Sequence, residues 1–186
     1  MSAQHTRNIL SIYRSATAQD RSEGMSWYRE AYALAASLDS DVHRAAAVIA
    51  ILSPMTSWPQ NVERATRAYA GDRTRLGFHA NRDKVARILD DGEDWRNVLK
   101  GPKVEAFFAN IIGDPNFVTI DRHAIDIAIG RPLSNKERAV WMGKRNRAIL
   151  TQSYINAAKR EKVLPYEMQA VTWVMWRKNR AVAFHG

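Results

Sequence analysis

Residues 42–58 read VHRAAAVIAILSPMTSW. Beyond Arg44 this stretch is apolar on nearly every side through Leu52, the pattern of a helix that runs through an interior and not along a surface. Ser53-Pro54 stops it, because the residue before a proline avoids the helical region. On the other side Asp39-Ser40-Asp41 ends the preceding helix and offers N-caps for this one. Met55-Thr56-Ser57-Trp58 is then a short loop, and Pro59 opens the next helix. A buried helix bracketed by local stop and start signals places the chain in the all-α class.

The flanking segments carry the same period. Upstream, Trp27, Ala31, Leu34 and Leu38 recur at helical spacing. Downstream, the helix after Pro59 presents Val62, Ala65 and Tyr69. Gly71 to Gly77 is a basic loop, and Asn81 is placed to cap a helix carrying Val85, Ile88 and Leu89. An acidic turn precedes a short helix at Trp95 to Leu99, and Gly101-Pro102 opens a helix expected to bury Phe107, Phe108, Ile111 and Ile112. Gly113-Asp114-Pro115-Asn116 is a turn, Phe117 to Ile120 one extended piece, and Asp121 begins a helix ended by Gly130-Arg131-Pro132. Ser134 and Glu137 have capping-box spacing. A long basic helix over roughly 144–162 is expected to turn Ala148, Ile149, Ile155 and Ala158 inward. Pro165 starts a last helix with Met168, Val171, Thr172 and Met175 on one stripe and Arg177, Lys178 and Arg180 in its last turn, where the helix dipole favours them.

The expectation is thus about eight to ten helices in one domain. It comprises an N-terminal helical extension (1–38), central helices (39–130) and basic C-terminal helices (131–186). Trp58, Trp95, Trp141, Trp173 and Trp176 are assigned mostly to the core.

Composition narrows the function. The 186 residues contain no cysteine, which excludes disulfides, Cys-ligated zinc and Cys-ligated iron–sulfur clusters. No window reaches the roughly 18 uninterrupted apolar residues of a membrane span, and no apolar signal segment follows Met1. A cytoplasmic protein with no membrane partner is expected. The net charge of +9 is localised: residues 131–180 hold twelve of the 28 Lys/Arg but only three of the 19 acidic residues, which leaves the rest of the chain neutral. Such an excess points to a polyanionic partner, nucleic acid first. A metal site is not expected, because His123 has no second His or carboxylate beside it in a ligand pattern.

Three segments carry the chemistry. They are Leu52-Ser53-Pro54-Met55-Thr56-Ser57-Trp58, then Leu99-Lys100-Gly101-Pro102-Lys103, then Val118-Thr119-Ile120-Asp121-Arg122-His123-Ala124, with Lys103 and Asp121 separated by 18 positions. Their order and spacing resemble the helix-hairpin-helix DNA glycosylase superfamily, specifically its endonuclease III-like branch. There a Leu-Ser-Ala-Gln-Thr-like segment precedes a Leu-Pro-Gly-Val-Gly-x-Lys-Thr-Ala hairpin and a Val-Asp-Thr-His segment. The resemblance covers roughly residues 42–180. Two departures stand out: Gly101-Pro102-Lys103 is two residues shorter than the hairpin and lacks its second glycine, and the C-terminal four-cysteine cluster of many members is absent.

The resemblance implies a two-lobed helical fold with an active-site cleft between the lobes, and a monomeric enzyme that needs no cofactor. It implies that a nucleotide is rotated out of duplex DNA into that cleft. Asp121 would stabilise the cationic sugar or activate the attacking group, and Lys103 would attack C1′ and form a Schiff base. Met55 would fill the gap left by the flipped base, and Trp58 would stack on the substrate. Ser53, Thr56, Lys100, Gly101, Arg122 and His123 complete the implied DNA-facing set, and Lys144, Arg145 and Arg147 would contact phosphates. Two alternatives stay open. The same fold would serve DNA base hypermodification, as a transferase on hydroxymethylated pyrimidines, or the chain would be a non-catalytic nucleic-acid-binding domain.

Overall fold

The computed structural model describes residues 2–183, with side chains through Asn179; the side chain of Arg180 lies outside the described residues. All regular structure among them is helical. In chain order the elements are α1 (Ser2–Ser15), α2 (Ala18–Leu38), α3 (Val42–Leu52), α4 (Trp58–Tyr69), α5 (His79–Leu89), α6 (Trp95–Val98), α7 (Pro102–Ile111), α8 (Arg122–Ile129), α9 (Asn135–Met142), α10 (Lys144–Glu161) and α11 (Pro165–Ala183). The chain divides into two compact units. The first contains residues up to Tyr28 and those from Asp114 onward, and the second spans Arg29–Gly113.

The second unit is organised by α3. Ala45 through Leu52 are all buried, as the unbroken apolar run requires, and α4, α5 and α7 pack around them. The Asp41 carboxylate caps α3 by accepting from the Arg44 amide at 3.1 Å. Asn61 of α4 donates to the Ile49 carbonyl at 3.2 Å, so the buried face of α4 is Asn61, Ala65 and Ala68. Val62 and Tyr69 are only half-buried. Helix α5 starts earlier than expected: Phe78 is its N-cap and Asn81 lies inside its first turn. On α7, Phe107 and Ile111 are buried, whereas Phe108 and Ile112 sit at the margin, with Phe108 against Trp95 at 4.6 Å between ring centroids.

In the first unit, α1 presents His5, Thr6, Ile9, Leu10 and Tyr13 as one buried stripe and packs on α8, α10 and α11. Ile9, Leu10, Tyr13 and Ala16 therefore share a core with the C-terminal helices. Gly130 ends α8 in the left-handed conformation (φ 87°), and a Cβ there would meet the Asn8 amide at 2.8 Å. Asn8 in turn donates to the Ala128 carbonyl at 2.9 Å, which ties α1 to the end of α8. The expected inward face of α10 is rotated: Leu150, Ser153, Tyr154, Ala157 and Ala158 are buried, while Ala148 is exposed and Ile149 and Ile155 are marginal. The stripe Met168, Val171, Thr172 and Met175 on α11 is buried as its spacing predicts. Of the five tryptophans assigned to the core, Trp176 is buried and the other four are half-exposed.

Candidate functional site

Within the first unit, Val118, Thr119 and Ile120 form a buried extended run that delivers Asp121 to the N-terminus of α8. Asp121 is half-exposed. One carboxylate oxygen caps the helix by accepting from the Ala124 amide at 2.8 Å. The other accepts no hydrogen bond from the described residues, so capping leaves half of the carboxylate available.

Tyr28, Tyr154 and His123 lie within electrostatic reach of Asp121. Tyr28 is buried, donates to Gln169 Oε1 at 2.9 Å and lies 3.4 Å from the Thr119 hydroxyl. Burial pushes the Tyr28 and Tyr154 phenols well above their ordinary range, and the Asp121 charge adds to both shifts. The His123 imidazole is held below its ordinary value by burial, with the Asp121 charge pulling the other way. His123 is therefore neutral near pH 7. Its Nε2 accepts from Arg122 Nε at 3.3 Å, which places the ring proton on Nδ1, a buried atom with no protein partner.

Aromatic rings continue from there. His123 meets Trp173 edge-on at 6.4 Å, Trp173 meets Trp27 at 6.0 Å, and Tyr28 contacts both Trp27 and Tyr166. The Arg177 guanidinium lies 4.6 Å over the Trp173 ring. A carboxylate oxygen, a neutral imidazole and half-exposed indoles together suit a planar, uncharged heterocycle with a polar edge. Sequence reasoning placed Asp121 and His123 here but missed Trp27, Tyr28 and Gln169. The first two lie in the N-terminal segment, which resembles nothing by motif and reaches the site only through tertiary packing.

The second unit holds the other two motifs. Met55 adopts the left-handed conformation (φ 56°) and its side chain is 81% exposed. The loop beneath it is pinned. The Thr56 amide donates to the Ser53 carbonyl, the Ser53 hydroxyl to the Ala50 carbonyl, and the Ser57 amide and hydroxyl to Gln60 Oε1. Arg64 donates to Thr56 Oγ1 at 2.5 Å, and its guanidinium occupies the space that a Cβ on Gly77 would need. Arg64 thereby links the Met55 loop to Gly77, and the next residue, Phe78, is 56% exposed. Trp58 is half-buried at the start of α4.

At the shortened hairpin, Gly101 (φ 118°) is the N-cap of α7 and its amide donates to Glu105 Oε1 at 3.1 Å. Lys100 donates to the Arg96 carbonyl at 3.0 Å. Pro102 has no N–H, so this turn spends its donors internally. Lys103 is half-buried in the first turn and makes no hydrogen bond or ion pair with the described residues.

Asp121, Arg122 and His123 thus assemble in the first unit, and Lys100, Gly101 and Lys103 in the second. Lys144 and Arg145 are exposed at the start of α10, whereas the Arg147 guanidinium turns back to donate to the Met142 carbonyl. No group of three or more His, Asp or Glu with metal-binding geometry occurs among the described residues. No helix among them is long and apolar enough to cross a membrane.

The model of a family of unknown function, DUF7178, matches residues 1–180, and the chain belongs to that family. No curated protein matches, and no solved structure matches.

Proposed function

We propose that this family member is a DNA-acting enzyme of the helix-hairpin-helix glycosylase type, which rotates a modified or damaged base out of the duplex and cleaves its N-glycosidic bond. The observation that carries the reading is the Asp121 corner: a carboxylate with one oxygen free, near a neutral imidazole whose ring meets a half-exposed indole. Asp121 stabilises the positive charge that develops on the sugar as the base departs. The half-exposed indoles receive the base. Lys103, partnerless and half-buried, attacks C1′, and the Schiff base it forms permits strand scission. Met55, held outward on a pinned loop, supports the wedge role.

One observation favours a second reading, base modification on the same fold. The Gly101 amide is taken by Glu105 and Pro102 has no N–H, so two backbone donors of the hairpin are lost to a phosphate, a departure more compatible with altered chemistry. The test is base release and borohydride trapping on duplexes bearing uracil, mismatched or oxidised pyrimidines. Release that Asp121→Asn abolishes, with an adduct that Lys103→Met abolishes, is the expected result. No release and no adduct from any of them sinks the glycosylase reading. A nucleoside mass change after incubation with activated hydroxymethyluracil DNA and an amine would replace it with the second.

A further inference from the structure

Helix α9 is set into the first unit by polar bonds, and none of its residues is buried. Arg138 runs inward to Asp126 at 2.7 and 2.9 Å, and Glu137 closes a capping box with Ser134 and takes Arg131. Asn146 and Arg147 of α10 donate to the Val140 and Met142 carbonyls and so lock the corner between the two helices. The outward side is left with Lys136 and Val140, followed by Met142, Lys144 and Arg145. Val140 is 63% exposed and Met142 37%. Lys136, Lys144 and Arg145 are exposed and make no hydrogen bond or ion pair with the described residues.

The opposite end of α10 differs. It lies about 27 Å away at the helical rise per residue. Lys159, Arg160 and Lys162 stand there at a helix C-terminus, where the dipole already favours cations, next to Glu161, which pairs with Arg14. Leu164, 40% exposed, follows two residues after Lys162. The fold thus leaves cations at both ends of α10 and locks the α9–α10 corner through Asn146 and Arg147.

We propose that the α9–α10 corner is a docking face for the sugar–phosphate backbone of duplex DNA, with Lys136, Lys144 and Arg145 on phosphates and Val140 and Met142 against the sugars. The inference rests on the DNA-acting reading above and assigns the backbone grip to one end of the basic stretch. Charge complementarity selects the occupant. Three cations without partners among the described residues lie in the same segment as two exposed apolar side chains, and the nearby carboxylate, Glu137, is already saturated by Arg131 and Ser134. A lipid surface would demand a wider apolar face than two side chains with a lysine one turn away.

Fluorescence anisotropy of the full chain on a short undamaged duplex, across a salt series, tests the assignment. The K136Q/K144Q/R145Q variant is expected to lower the slope of log affinity against log salt by about 2.7 and to weaken binding on the order of 500-fold at 0.1 M salt. The V140S/M142S variant weakens binding with the slope retained. The K159Q/R160Q/K162Q variant leaves both slope and affinity unchanged. Equal losses in the two triple variants, or an unchanged slope in the first, overturn the proposal. So does wild-type binding to phosphatidylserine vesicles that the first triple abolishes while duplex binding persists. Base release without the slope change overturns the corner and leaves the enzyme reading intact; the slope change without base release does the reverse.

Discussion

Replacing Met55 with glycine separates a structural side chain from a functional one, because the two roles give opposite signs. Met55 holds φ at 56°, a conformation that costs an L-residue roughly 1–2 kcal/mol and glycine almost nothing. With 81% of the residue exposed, its packing contributes little, since each buried Å² of apolar surface stabilises by only about 25 cal/mol. Glycine offsets part of the relief by making the unfolded chain more flexible, by roughly 0.4–1 kcal/mol. The net expectation for Met55→Gly is unchanged stability or a gain of up to about 1 kcal/mol, read as the urea midpoint by tryptophan fluorescence. Met55→Ala keeps the strained backbone and is expected within about 0.5 kcal/mol of wild type. On duplexes with 2-aminopurine next to the target base, both variants should lose the fluorescence rise that reports unstacking, because the wedge is gone. A destabilisation above about 1 kcal/mol would show that Met55 packs against something essential. An unchanged 2-aminopurine response would remove the wedge role.

Three further outcomes test the fold that presents these residues. Asp126 is fully buried and paired with Arg138, so Arg138→Met removes the charge partner of a buried carboxylate and should cost about 3–5 kcal/mol in urea unfolding. The Asp126→Leu/Arg138→Met double variant should recover much of that loss. Gly24→Ala, which would help an open helix by about 1 kcal/mol, should instead destabilise by about 1–3 kcal/mol, because its Cβ would lie 2.5 Å from the Val171 Cα; an unchanged midpoint would mean that α2 and α11 separate freely. Burial holds His5 and His123 below the ordinary imidazole value of 6.5, so the folded chain binds fewer protons than the unfolded one. Their contribution is fully present above that pH and lost as pH falls, so the urea midpoint should decline between pH 7.5 and 5 and flatten in His5→Gln/His123→Gln. A second decline should follow below pH 3.8 as Asp20, held down to about 2 by its hydrogen bond from Lys178, takes up its proton.

The sequence by itself determined several helix ends, since those signals act over three or four residues. Asp41 and Asp121 cap α3 and α8 through the amide three positions on, Ser134 and Glu137 close their box, and Pro54, Pro102 and Pro165 sit where their geometry demands. It also determined that α3 is interior, because no rotation of that helix could expose a polar face. Where several choices were locally equivalent, only the tertiary structure decided. Phe78 and not Asn81 caps α5, with Arg64 filling the space beside Gly77. The sparse apolar residues of α10 permit more than one buried face, and the contacts that choose lie far away in sequence: the Tyr154 hydroxyl donates to the Ala124 carbonyl, and the Ser153 carbonyl accepts from Thr6. The candidate site divides along the same line. Asp121 and His123 are legible because the motif is contiguous, whereas Trp27 and Tyr28 reach it across about ninety residues, through packing that no local pattern encodes.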